Sequence, residues 1–318
     1  VDSLKTKYIL NFQKYLLSSG ITSYMDAATD IEGFDLSHLY EELDRKGKLA
    51  VHTYGVWKIT PETTFGHIDS IAASSTAIRG GRFEINAVEL MVDSTISGPA
   101  IWAERQLDRA IEKMSSVGFG IHAHAVGGDA VGKAVYLLGK RGDRTLCNSI
   151  THLAAISKDD LSKMAAYGIS AVVQPSVFHR DSSLGDSAAV VPVYPVKSLL
   201  DSKVNVSISS NFPVSRSISI PESIYMMVFR RGKADPDSAA LSVEEGISVS
   251  EALKCATIGG ARQFGRDSVS GSVSVGKDAD LVIFDRDITT CCADSIPGAE
   301  VLYTIIGGKV VFRRSDTL

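Results

Sequence analysis

Short apolar runs rich in β-branched residues recur along the chain, and between them the apolar positions fall at helical spacing. The runs cover residues 21–28, 49–57, 83–93, 118–126, 144–152, 169–176 and 203–211. Their starts lie 25 to 35 residues apart, close to the roughly 30 residues of one β-α unit. Residues 169–173 are apolar almost without interruption, as parallel strands buried on both faces are. Seven β-α units in series with no evident switch point predict a barrel rather than a doubly wound sheet. A TIM-like (β/α)8 barrel closes with eight strands, so the expectation is strands two to eight, with the first strand lying before Val1. An open arc of seven would expose two unpaired edges and a slot into its core, an aggregation liability unless another segment fills it.

The helices carry their own boundaries. Ser157, three residues before Asp160, reads as an N-cap ahead of Leu161, Met164 and Ala165, and Gly168 sits where that helix should end. Pro99 suits a first helical position before Ile101, Leu107, Ile111 and Met114. Ser248 and Glu251 open a capped helix expected to run to Phe264. From Gly271 onward the pattern changes to short strands at 281–284, 301–306 and 309–312, with Gly307-Gly308 as a two-residue hairpin turn. An isolated hairpin is marginal in water, so this small β element needs partner strands, which are expected to lie outside this sequence, as in one part of a β-sandwich. The predicted division is a barrel over residues 1–265 and a partial sandwich over 266–318. Residues 182–189 are the most loop-like stretch.

Composition narrows the partners. With 318 residues, 44% of them hydrophobic, 22% charged and a mean hydropathy of +0.09, the chain can bury a sizeable core. The net charge is -4 and the lysines and arginines are scattered, which argues against a nucleic-acid or anionic-membrane footprint. No run approaches the 18 or so apolar residues of a membrane span. The cysteines, Cys147, Cys255, Cys291 and Cys292, include no Cys-x-x-Cys, which indicates neither a disulfide framework nor a zinc knuckle and fits a reducing, cytoplasmic setting. A small-molecule substrate is the partner expected, and a homo-oligomer is compatible with the composition.

Candidate chemistry gathers at predicted strand ends. His122 and His124 stand two apart on one strand and so face the same way. His152 ends the next strand, and in such barrels the carboxyl ends converge on the active face. Neighbouring strand-end histidines suit zinc, which favours imidazole and keeps a position open for water; the alternative for each is a hydrogen-bonded core or rim histidine. Glu89, on the third visible strand, could complete a metal shell or act as a base, whereas Asn211, closing the last strand, cannot take a proton from water and also suits a turn before Pro213. Gln174 and His179 follow the sixth visible strand and could line a pocket or belong to an ordinary loop. Cys255 reads as a small buried hydrophobe. There is no Gly-x-Ser-x-Gly elbow and no phosphate-binding glycine loop.

Taken in order, these segments resemble the metal-dependent amidohydrolase superfamily, in the branch of N-acyl-D-amino-acid deacylase-like and N-substituted formamide deformylase proteins. The similar motifs are Gly20-Ile21-Thr22-Ser23 with Asp26-Ala27, His122-Ala123-His124-Ala125-Val126-Gly127, Ile150-Thr151-His152, Val173-Gln174-Pro175, Ser209-Ser210-Asn211-Phe212-Pro213-Val214, and a tail from Gly271 to Val282. The resemblance implies hydrolysis of a non-peptide C–N bond by water activated on one or two divalent metals, zinc foremost, with His124 and His152 as ligands. It also implies departures. Asn211 stands where the family carries the Asp that activates water, Glu89 where it carries a lysine that can be carboxylated, and Gly128 where an Asp is frequent. These departures leave open a catalytically impaired relative that binds or regulates.

Overall fold

A computed structural model describes residues 2–27, 29–31, 34–75, 80–94, 101–178, 193–232 and 240–315. Helix α1 (Asp2–Ser18) leads into β1 (Ser23–Asp26), followed by the two-residue strands β2 (Asp30–Ile31) and β3 (Phe34–Asp35) and by α2 (Ser37–Arg45). Then strands and helices alternate: β4 (His52–Ile59), α3 (Phe65–Ser75), β5 (Phe83–Met91), α4 (Glu104–Ser116), β6 (Gly120–Ala125), α5 (Gly128–Arg141), β7 (Ser149–His152), α6 (Lys158–Tyr167), β8 (Ser170–Val173), α7 (Val196–Asp201), β9 (Val206–Ile208) and α8 (Ile220–Phe229). The seven larger strands form one parallel sheet in the order β1-β4-β5-β6-β7-β8-β9. This is the curled seven-strand sheet of a TIM-like barrel, and each predicted run supplies one of its strands.

Alternation along the strands divides the two sides. Val88, Leu90, Ile121, Ala123 and Ile150 join one apolar core with Leu107, Ile111 and Met114 of α4 and Val131, Val135 and Leu138 of α5. Each fully buried valine, leucine, isoleucine or methionine among them contributes about 1.5–3 kcal/mol. The intervening positions Glu89, His122, His124, Ser149 and Thr151 therefore share the other face.

Caps fall where the sequence places them. Ser157 Oγ accepts from Asp160 N–H at 3.1 Å, and Gly168 ends α6 with φ 71°. Ser248 and Glu251 form a reciprocal capping box at the start of α9 (Val249–Lys254), which passes through a π turn at Cys255–Gly259 into α10 (Gly260–Gln263). Pro99 is different: it lies outside the described residues, and α4 begins only at Glu104, with Ala103 as N-cap.

The α9–α10 segment occupies the slot expected between the sheet edges. Gln263 Oε1 accepts from Ser207 Oγ on β9 at 2.5 Å, and Gln263 Nε2 lies 3.8 Å from Met25 Sδ on β1. Asn205 Nδ2 donates to Gly259 O at 3.0 Å. From the other side Phe12 of α1 meets Tyr24 edge-on and stacks on Phe212, with centroids 5.6 and 5.4 Å away.

The C-terminal strands β10 (Leu281–Phe284), β11 (Val301–Ile306) and β12 (Lys309–Arg313) make one antiparallel sheet. Gly307 and Gly308 both adopt positive φ, as a tight primed hairpin turn requires. Within the described residues this sheet packs against α1. Ile306 packs with Leu16 and Leu17 of α1 and with Val51 and Ile218, and Thr304 Oγ1 donates to Leu17 O at 2.6 Å. Among the described residues no helix is long and apolar enough to cross a membrane.

Candidate functional site

At the carboxyl ends of β6 and β7, register pairs His124 with Thr151 and Ala125 with His152. Simple alternation would send His152 to the face opposite His124. Instead His152 (φ 77°) and Leu153 (φ 46°) adopt left-handed backbone, a conformation that costs non-glycine residues of order 1–3 kcal/mol and gathers at functional sites. The turn is held by Leu153 N–H to Ala125 O at 3.1 Å and Ala154 N–H to Val126 O at 3.0 Å. It brings His152 Nε2 to 3.0 Å from His124 Nδ1, with ring centroids 4.0 Å apart.

Gln174, immediately after β8, is buried, and its Oε1 accepts from His152 Nδ1 at 2.7 Å. That bond places the His152 proton on Nδ1 and leaves Nε2 to accept from His124 Nδ1–H. His124 Nε2 is then a bare acceptor, and it is buried without a hydrogen-bond partner. Burial pulls the imidazole of His124 down to about 3 and that of His122 down to about 4, and it lowers His152 as well. All three rings are neutral near pH 7, the form that binds metals.

One step toward the strand starts, Lys58, Glu89, His122 and Ser149 lie in register across β4, β5, β6 and β7. His122 Nδ1 and Ser149 Oγ are 2.8 Å apart. Burial pushes the Glu89 carboxyl up to about 7, against the pull of the Lys58 charge. A carboxyl in that range can hold or release a proton under neutral conditions. Lys58 and Ser149 join this row only through inter-strand register, which one strand read alone does not display.

Asn211 stands apart. β9 ends at Ile208, so Asn211 lies three residues beyond it rather than closing the strand. It is exposed, with φ 52°, in a turn where its N–H donates to Ser209 Oγ and its carbonyl accepts from Ser215 N–H. His179 lies outside the described residues.

With the His124 proton moved from Nδ1 to Nε2, the two facing nitrogens, 3.0 Å apart, would both carry lone pairs and could hold part of the shell of one divalent ion. Among the described residues no group of three or more His, Cys, Asp or Glu side chains converges to hold a metal. The pair therefore fits part of a shell and does not complete one.

The chain is 24% identical over 333 residues to N-substituted formamide deformylase of Arthrobacter pascens, an alignment covering 95% of this chain and 59% of that protein. It is 25% identical over 332 residues to Protein LONG AFTER FAR-RED 3 of Arabidopsis thaliana, covering 94% of this chain and 56% of the other. It thus spans less than two thirds of both relatives. Among solved structures, an uncharacterized metal-dependent hydrolase from Pyrococcus horikoshii superposes with a TM-score of 0.75 at 22% identity, over 92% of this chain and 62% of that one. The sequence profile of the amidohydrolase family matches residues 3–312. The chain belongs to the amidohydrolase family.

Proposed function

We propose that this protein hydrolyses a carbon–nitrogen bond of a small molecule, of amide type, with a divalent metal, zinc, held in part by His124 and His152. The observation that carries the reading is the contact between His124 Nδ1 and His152 Nε2 at the carboxyl ends of adjacent strands. The formamide deformylase relative and the metal-dependent hydrolase of similar fold support it. When bound, the ion supplies polarisation of a carbonyl and acidification of water. Gln174 holds the His152 ring in the tautomer whose Nε2 carries a lone pair, and Glu89 can hold a proton nearby in the strand row. In this reading residues 1–265 are the catalytic barrel, residues 266–318 support it, and His122, Gln174 and His179 are candidates to face substrate.

The test is hydrolysis of a panel of N-substituted formamides and N-acyl amines by the metal-loaded protein, before and after chelation. Chelator-sensitive turnover that His124→Ala and His152→Ala both abolish is expected. Turnover indifferent to both variants would overturn the assignment.

A second reading follows from Asn211, a neutral exposed turn residue where the resemblance implies an acid: a relative that binds without turnover. If the parent is inactive and Asn211→Asp gains metal-dependent activity, this second reading holds.

A further inference from the structure

Asp93 lies two residues beyond β5 and is 3% exposed. Its carboxylate accepts two backbone N–H groups at 2.9 Å, Val126 to Oδ1 and Gly127 to Oδ2. Charge-assisted hydrogen bonds of this kind are about twice as strong as neutral ones. The peptide so gripped follows His124 directly. Its carbonyl side is gripped as well, since Ala125 O and Val126 O accept from Leu153 and Ala154, the residues that sustain the left-handed turn at His152. The preceding residue joins the same assembly, because Val92 N–H donates to His124 O at 2.8 Å.

We infer that Asp93 is a positioning residue, which sets His124 against His152 by clamping the Ala125–Gly127 peptide between β5 and the turn after β7. The inference rests on the reading of the two histidines as the reactive pair, and it assigns their spacing to a third strand that touches neither ring through a hydrogen bond. Removing one acceptor oxygen frees a buried N–H, loosens the segment that supplies Ala125 O and Val126 O, and lets the turn at His152 relax. The rings then part.

The experiment compares wild type with Asp93→Asn and Asp93→Glu in the full chain. Nitrogen-15 NMR reads the ring nitrogens of metal-free protein, and cobalt(II) titration reads affinity. Wild type should show a protonated His152 Nδ1 and an accepting Nε2. Asp93→Asn should lose that pattern and about ten- to a hundredfold in cobalt affinity, with cooperative unfolding retained. Asp93→Glu, which keeps both oxygens on a longer arm, should fall between. A folded Asp93→Asn protein with wild-type ring resonances and affinity would overturn the inference. If that variant does not fold, Asp93→Glu decides: resonances and affinity identical to wild type would overturn it equally. Should wild type bind no cobalt, the metal reading fails, while the ring resonances still decide the role of Asp93.

Discussion

His124 and His152 meet nitrogen to nitrogen at 3.0 Å across β6 and β7, although strand alternation alone would place them on opposite faces. Two successive left-handed residues make the meeting possible, and packing and hydrogen bonds elsewhere must offset their cost. Replacing either ring by alanine should lower zinc affinity at least about tenfold, the low end for disturbing such a site. Elemental analysis after dialysis at limiting zinc reads the loss, and full occupancy in either variant would contradict the ligand assignment.

Gln174 is the only described acceptor for His152 Nδ1–H. Gln174→Leu would leave that partly buried donor unsatisfied, at a cost of about 1–3 kcal/mol, visible in urea unfolding of the metal-free protein. Gln174→Glu keeps an acceptor and should recover most of it. Equal stability of Gln174→Leu and wild type would show that the bond does not orient the ring.

Glu89 links stability to pH in a defined direction. Its folded-state value is raised from 4.5 to about 7 by burial, so the folded protein holds this proton more tightly than the unfolded chain does. Its stabilising contribution is full below about pH 4.5 and is lost as pH rises through about 7. Glu89→Gln, neutral at every pH, should gain up to about 3 kcal/mol over wild type above pH 7 and nothing at pH 4.5. The difference between the two proteins isolates Glu89, because His122, lowered to about 4, acts oppositely and loses its contribution as pH falls. A pH-independent difference in metal-free protein would refute the assignment.

Thr304 ties the C-terminal sheet to α1 through its fully buried hydroxyl and Leu17 O. Thr304→Val keeps shape and removes the donor, which should cost about 1–2 kcal/mol and speed hydrogen exchange in β11 and β12 before the barrel core. Unchanged exchange in those strands would show that the apolar contacts of Leu16, Leu17 and Ile306 suffice.

What could be read from sequence is what short-range chemistry encodes. Ser157 with Gly168, Ser248 with Glu251, and Gly307-Gly308 each act within a few residues, and each does in the structure what its local pattern predicts. The apolar runs likewise place all seven sheet strands, and the resemblance brought His124 and His152 forward together. The features that escaped depend on pairing between distant segments. Lys58 and Ser149 enter the polar row only through register, and Asp93 shows its purpose only when β5 lies beside Val126 and Gly127. The hint at Asp93 was a charge ending an apolar stretch. The left-handed turn at His152 carries no glycine to announce it, and α1 as the layer beneath the small sheet is a pairing across most of the chain.

Gln263 meets Met25 across 238 positions, and Thr304 meets Leu17 across 287. Contacts that distant are slow to form, because loop closure precedes any gain from them. β1 finds β4 nearby in sequence, whereas its other flank and α1 meet partners as far along the chain as Gln263 and Thr304. Sealing that flank and seating the small sheet on α1 are therefore expected among the slowest steps of folding.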